Sequence, residues 1–338
     1  MYCKDEINDI QKLIHELQKT IVKLAEKEGE TIIPGFTHLQ PAQIVLLAHH
    51  LLAYVEMFDR DKNRLDDCYE RTDSMPLGSG ALSGSSLPID RAYVAKLLGF
   101  SKITQNSMDA VSDRDFVIEL LSDLALIGMH ASRIAEEFII WSSEFSYVEI
   151  DWSLCTGSSI MPHKKNPDML ELIRGESATL ISNLNQVLIL MKGLPLTYNR
   201  DMQLDKPPLF ESVEKIKYIL KLLTKTFETI KFNESIVNYD SSDEEFFSVD
   251  VVEYLIKKGV SYREAHDVVG RMFKEVFDQD ITADKLTKEE LKKYHPKFDL
   301  DVKTLFNPKM SVKIKQSLGS TNPKMVAQQI NHWKKKLK

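Results

Sequence analysis

Apolar residues recur along much of this chain at alternating spacings of three and four, the period of a helix with one buried stripe. In one long segment Ile44, Leu47, Leu51, Tyr54, Phe58, Leu65 and Cys68 fall on such a stripe. A second carries Phe116, Leu120, Leu124, Ile127, Ala131, Ile134, Phe138 and Trp141, and a third Leu170, Ile173, Ser177, Leu180, Leu184, Val187 and Met191. Each pattern runs for more than about twenty residues, so the helices are expected to be roughly 30 Å or longer at ~1.5 Å per residue. Spacings of this kind favour lengthwise packing at shallow angles, as in a bundle. Other apolar positions flank the stripes, among them Val45, Leu46, Leu52, Leu121, Ile139 and Ile140. A helix apolar over much of its circumference requires neighbours on several sides. The predicted fold is therefore all-α: a long-helix bundle that forms the core of a homo-oligomer, with a small helical C-terminal domain.

Residues 5–27 read as a further helix, and Pro34-Gly35 breaks the chain before Thr37 and His38. Around Leu77-Gly-Ser-Gly-Ala-Leu-Ser-Gly-Ser-Ser86 lies a glycine-rich loop without the Lys-Ser/Thr ending of a phosphate loop, read as a close-packed turn between helices. Beyond Asn233 the helical patterns become shorter and more charged. The clearest lie at 248–258 and 262–277, a polar, lysine-rich run covers 282–301, and a last helix is expected at 322–336. Strand-like alternation is scarce. The expected domains are a bundle over 1–232, including a loop at 156–168, and a small all-helical domain over 233–338.

With 338 residues, 43% of them apolar, the chain has material for a sizeable core. Its net charge of −6 gives no general electrostatic reason to bind nucleic acid, and the basic Lys334-Lys-Lys-Leu-Lys338 reads as a solvated tail. No apolar run approaches the roughly 20 residues needed to cross a bilayer, and Met1 opens onto a charged amphipathic pattern, so neither a membrane span nor a signal sequence is expected. The three cysteines, Cys3, Cys68 and Cys155, are too few and too scattered for a disulfide framework or a thiolate metal site. A reducing, cytoplasmic setting is expected, with no metal and no cofactor.

Reactive groups concentrate in Thr156-Gly-Ser-Ser-Ile-Met-Pro-His-Lys-Lys-Asn-Pro-Asp168. Gly157, Pro162 and Pro167 forbid a continuous helix there. Between them stand the hydroxyls of Ser158 and Ser159, the imidazole of His163, the ammoniums of Lys164 and Lys165 and the amide of Asn166. The third helical stripe follows at once, so the loop ends on a helix N-terminus, where free N–H groups and the macrodipole favour anions. The segment reads as a mobile, anion-gripping loop that carries a nucleophile or base. A bland Gly/Ser/Pro connector with solvated lysines is the competing reading, and Cys155 reads as an ordinary loop thiol. A second constellation, Pro34-Gly-Phe-Thr-His-Leu-Gln-Pro-Ala-Gln43, is expected to place Thr37 and His38 just before a helix that Pro41 opens.

The order Gly-Ser-Ser-x-Met-Pro-x-Lys-x-Asn-Pro resembles the signature loop of the fumarase, aspartase and argininosuccinate lyase superfamily, and Thr37-His-Leu-Gln-Pro-Ala-Gln43 resembles a second region of the same group. Asn106-Ser-Met-Asp-Ala-Val-Ser-Asp-Arg-Asp-Phe116 and Gly193-Leu-Pro-Leu-Thr-Tyr-Asn-Arg-Asp-Met-Gln-Leu-Asp-Lys206 look like argininosuccinate lyases in particular, as do Leu77-Gly-Ser-Gly-Ala81 and Lys165-Asn-Pro-Asp168. That resemblance runs over essentially the whole chain. It implies cleavage of argininosuccinate to arginine and fumarate by abstraction of a proton beside a carboxylate and expulsion of a guanidinium nitrogen. Such chemistry needs a base, stabilisation of the charge that develops and an acid for the leaving nitrogen. By resemblance Ser158 is the base, with Ser159 the adjacent candidate. Lys164 and Asn166 suit a carboxylate grip, His38 an acid or proton relay, and Glu171 the carboxylate that orients it. Thr37, Gln40, Arg114, Tyr198, Arg200 and Gln203 resemble substrate contacts, although Arg114 and Arg200 also read as ordinary salt-bridge partners.

The resemblance further implies a homotetramer whose sites combine three motif regions from different subunits. Of these, a Ser-x-Asn-Asp-Gln type segment of an N-terminal domain has no counterpart in this sequence. The expectations that follow are a truncated form, a split enzyme completed by a separate N-terminal fragment, or a degenerate relative. His163 stands where argininosuccinate lyases commonly carry Gln and adenylosuccinate lyases commonly carry His, which keeps an adenylosuccinate lyase-like enzyme as the alternative. A non-catalytic helical scaffold is the reading from a different class.

Overall fold

The computed structural model describes residues 1–143, 145–233 and 244–338; residues 234–243, within the expected start of the C-terminal domain, lie outside the described residues. The fold is dominated by helices, as the apolar spacing requires. Five are long: α1 (Tyr2–Lys27), α2 (Leu47–Thr72), α5 (Asp115–Ser142), α6 (Asp168–Met191) and α7 (Lys206–Thr229). Between α2 and α5 lie the short α3 (Arg91–Leu98) and α4 (Ser107–Ser112). Toward the C-terminus come α8 (Ser248–Lys257), α9 (Tyr262–Asp278), α10 (Lys288–Tyr294), α11 (Pro308–Ile314) and α12 (Pro323–Lys336). Strands occur as short pairs: β1 (Ile32–Thr37) with β2 (Gln40–Leu46), β3 (Ser74–Met75) with β4 (Lys102–Ile103), β5 (Val148–Glu149) with β8 (Lys231–Phe232), and β6 (Thr156–Gly157) with β7 (Lys165–Asn166).

The chain forms two compact units from interleaved segments. One comprises Met1–Ile21, Tyr54–Phe145 and Ile150–Ile230; the other comprises Val22–Ala53, Ser146–Glu149 and Lys231–Lys338.

In the first unit α5, α6 and α7 pack on one another. The apolar stripes supply the contact: Leu120, Leu124, Ile127, Ala131, Ile134 and Phe138 of α5 and Leu170, Leu180 and Val187 of α6 are fully buried. Each such large side chain contributes about 1.5–3 kcal/mol relative to its exposed state. An aromatic nucleus joins α2, α5 and α7, with the Phe138 ring 5.3 Å from Phe227 and 6.2 Å from Tyr54, edge on in both cases. Helix α7 carries a stripe of its own, Leu209, Val213, Ile216, Leu220, Leu223 and Phe227, all buried. Pro207 and Pro208 lie in its first turn, where a missing N–H costs nothing.

Helix α5 approaches α6 closely where it presents Gly128. A Cβ built there would stand 2.4 Å from Leu180 Cδ1 and 3.7 Å from the Ser177 Cα of α6. Only hydrogen fits in that gap, so the glycine sets the distance between the two helices.

The same unit buries charge. Asp61 Oδ2 lies 2.7 Å from His130 Nδ1 and its Oδ1 accepts from Arg64 at 3.1 Å. Nearby Asp123 is buried, and its Oδ2 has no hydrogen-bond partner among the described residues. Burial first, then the charges of Glu119 and Asp61 against those of Arg64 and Arg71, push its carboxyl up to about 7.

The second unit joins the β1–β2 hairpin to the C-terminal helices. The Leu46 N–H donates to Thr321 Oγ1 at 2.7 Å, and β2 also packs on the helical turn Glu244–Phe247 and on α11. Its core gathers Val251 and Leu255 of α8, Val268 and Met272 of α9, Leu291 of α10, and Phe298 and Val302. Asp250 is buried beneath α8, where it accepts from Ser311 Oγ and Lys315 Nζ, each at 2.5 Å.

Gly128→Ala is expected to lower stability by about 1–3 kcal/mol through overpacking against Leu180, measured as a fall in denaturation midpoint. Asp123 makes stability depend on pH with a definite sign. Its native carboxyl holds a proton up to about 7, whereas the unfolded chain releases it near 3.8, so this group weakens the fold as pH rises between those values. Asp123→Asn should leave the melting temperature little changed near the lower limit of that window and raise it progressively above; a pH-independent difference from wild type contradicts the assignment.

Candidate active site

Antiparallel pairing of β1 with β2 puts Thr37 opposite Gln40 and leaves His38 and Leu39 as a two-residue turn. Both turn residues have positive φ, 55° and 60°, as a type I′ turn of the right-twisted hairpin demands. Neither is a glycine or asparagine, so this backbone is held against its own preference. Thr37, His38, Leu39 and Gln40 are all exposed at the hairpin tip.

This corrects the expectation that His38 sits at a helix mouth opened by Pro41. Pro41 is a strand residue paired with Phe36, and α2 begins only at Leu47. A two-stranded ribbon has two free edges, which is where a strand tolerates a residue without an N–H. Ile44, assigned to the first helical stripe, is likewise in β2.

The loop rich in reactive groups is closed by a two-pair ladder, Thr156 opposite Asn166 and Gly157 opposite Lys165. Inside it the chain folds back on Ser158. The Ser158 Oγ accepts the backbone N–H of Met161 at 3.0 Å and that of Ile160 at 3.3 Å, and the Lys164 N–H donates to the Met161 carbonyl at 3.0 Å. Ser158 is half-buried, whereas Ser159, His163 and Lys164 are exposed and Ile160 is 85% exposed. Asn166 is half-buried, one residue before the Pro167 that leads into α6. Glu171 is exposed in the first turn of α6, its N–H donating to the Pro167 carbonyl at 3.1 Å. Burial raises the Cys155 thiol above its ordinary range, which favours the neutral, unreactive form.

The remaining candidates cluster around the helical turn Arg200–Asp205, which packs on α6 and α7. Gln203 Nε2 donates to the Tyr198 hydroxyl at 2.7 Å, and both side chains are exposed, as is Arg200. Arg114 precedes α5 and is tied down: its Nε donates to the buried Asp205 Oδ2 at 2.5 Å and its Nη1 to the Asp113 carbonyl at 2.6 Å. Asp205, absent from the sequence-based candidates, thus fixes the direction of Arg114. Ser158, Ser159, Lys164, Asn166, Glu171, Arg114, Tyr198, Arg200 and Gln203 belong to the first compact unit, and Thr37, His38 and Gln40 to the second.

Comparison with known families places the helical chain among the lyases. A family model described as Lyase matches residues 1–181, and one described as Argininosuccinate lyase C-terminal matches residues 247–313. The argininosuccinate lyase of Syntrophus aciditrophicus is 47% identical over 331 residues, which span 98% of this chain and 70% of the relative. That of Desulforamulus reducens is 44% identical over 339 residues, 100% of this chain and 74% of the relative. Among solved structures, a variant EDDS lyase with bound fumarate superposes with a TM-score of 0.91 at 25% identity, covering 99% of this chain and 69% of that one. A class II fumarase from Schistosoma mansoni shares the fold, with a TM-score of 0.76 at 15% identity over 90% of this chain and 67% of its own. The chain belongs to the argininosuccinate lyase family.

Proposed function

We propose that this protein cleaves argininosuccinate to arginine and fumarate, as a carbon–nitrogen lyase of arginine biosynthesis, and that Ser158 is the base. The observation that carries the assignment is the pair of backbone N–H groups directed at Ser158 Oγ, from Met161 at 3.0 Å and Ile160 at 3.3 Å. A free serine hydroxyl is far too weak an acid to supply an alkoxide near neutral pH. Fixed N–H donors stabilise the anionic form more than the neutral one, and the N-terminus of α6 adds the same sign of field. Ser159, exposed beside it, receives no such pair of N–H groups among the described residues and is the adjacent alternative.

In the proposed reaction Ser158 takes the proton from the carbon next to a carboxylate, and negative charge moves onto that carboxylate. Lys164 neutralises it and Asn166 donates hydrogen bonds to it. Collapse of the charge breaks the bond to the guanidinium nitrogen, which leaves as arginine after receiving a proton through His38, with Glu171 orienting the imidazole. Thr37, Gln40, Arg114, Tyr198, Arg200 and Gln203 are assigned to holding the substrate, Arg114 in the direction that Asp205 imposes.

A homotetramer in the cytoplasm is the setting proposed for this chemistry. Support comes from the C-terminal half of α6, which exposes Ile181 and Leu188, seven residues apart on one face, with Ile189 beside them, an apolar strip that suits burial against further helices. No helix of the described residues is long and apolar enough to cross a membrane. His163 makes adenylosuccinate the competitor substrate to test.

The purified protein is expected to release fumarate from argininosuccinate and not from adenylosuccinate. Ser158→Ala should lower kcat by about 10²–10⁴-fold with the helical circular dichroism unchanged. Release from adenylosuccinate alone, or an unaffected Ser158→Ala variant, contradicts the proposal.

A further inference from the structure

The reactive loop that carries Lys164 is closed by a ladder only two residue pairs long, Thr156 with Asn166 and Gly157 with Lys165. So short a ribbon does not hold itself together in water. Something else must fix it, and a group outside the reactive loop is placed to do so. The Lys165 ammonium lies over the ring of Trp152, 4.7 Å from its centroid.

Trp152 is itself well anchored, although 59% exposed. It opens the helical turn Trp152–Leu154, which Asp151 caps by accepting the Ser153 N–H at 2.8 Å and the Ser153 hydroxyl at 2.6 Å. Leu154, at the end of that turn, is buried, and the turn packs against α6. The backbone that carries the ring is therefore tied to the same helix whose N-terminus receives the loop.

Successive residues of a strand face opposite sides. With Lys165 drawn to the ring on one side of β7, Asn166 is turned to the other, and Lys164 is the residue from which the loop enters the strand. We propose that Trp152 is a positioning residue: by holding Lys165 against its ring it fixes the rear of the β6–β7 ladder and presents Lys164 and Asn166 to the carboxylate of the substrate. The catalytic part of this inference rests on the lyase reading above; the latch itself does not. A cation–π contact at an exposed site changes the population of the held state roughly two- to fivefold, which is the size of effect to be sought.

Two readouts separate the latch from the lyase reading. The first is the rate of tryptic cleavage after Lys164 and Lys165 in the full chain. Trp152→Ala should be cleaved roughly two- to fivefold faster than wild type, with an unchanged melting midpoint, while Trp152→Phe, which keeps a ring face, stays near wild type. Equal cleavage of all three proteins, or equal acceleration in Trp152→Ala and Trp152→Phe, overturns the proposal. The second is fumarate release from argininosuccinate. Trp152→Ala should raise KM by a similar two- to fivefold factor with a smaller change in kcat, Trp152→Phe should restore it, and Trp152→Ala/Lys165→Gln should be no worse than either single change. Additive losses in that cycle, or wild-type kinetics in Trp152→Ala, overturn the positioning role. If the wild-type chain releases no fumarate, the lyase reading fails, and the cleavage contrast still decides whether Trp152 holds the loop.

Discussion

The architecture of the first unit depends on how closely α5 and α6 approach. Gly128 leaves room for Leu180 at a point where even a methyl group would collide. Helix α6 both receives the reactive loop at its N-terminus and carries Glu171 in its first turn, so its position against α5 and α7 sets where the loop emerges. Packing interiors tolerate little change in volume without displacement. A contact deep in the bundle thus reaches the chemistry through the rigidity of one helix.

On that frame the loop combines three short-range devices. A ladder closes its base, a backbone turn directs two N–H groups at Ser158 Oγ, and Trp152 holds Lys165 from outside. Each alone is weak. Together they place an ammonium and an amide within a few residues of a helix N-terminus, where negative charge is favoured, and aim backbone N–H groups at a hydroxyl in the same loop. Burial that leaves Cys155 protonated keeps the neighbouring thiol from competing with the hydroxyl.

Much of the helical skeleton was legible in the sequence because a stripe at spacings of three and four has few other uses. The three stripes through Phe58, Phe138 and Leu180 became α2, α5 and α6. Helix α7 is not among the expected helices although Leu209, Val213, Ile216, Leu220, Leu223 and Phe227 repeat the same spacing and its two prolines fit a first turn. The β1–β2 hairpin was hidden for a physical reason. Its strands contain Pro34, Gly35 and Pro41, its turn is His-Leu where Asn-Gly would advertise a hairpin, and Ile44 lies at helical spacing from Leu47 and Leu51. The residues of the reactive loop could be picked out by type and order. The N–H groups on Ser158 Oγ, the Asp205 hold on Arg114 and the Trp152 contact could not, because each depends on backbone geometry or on chain segments brought together only by folding.

The central claim is that Ser158 removes the proton, and isotope exchange tests it most directly. Arginine and fumarate are incubated with the protein in heavy water, and the argininosuccinate formed is examined for deuterium at the carbon beside the carboxylate. The wild-type chain and Ser159→Ala are predicted to incorporate the label and Ser158→Ala to incorporate none above background. Labelling by Ser158→Ala at the wild-type rate, or its loss in Ser159→Ala alone, would contradict the account.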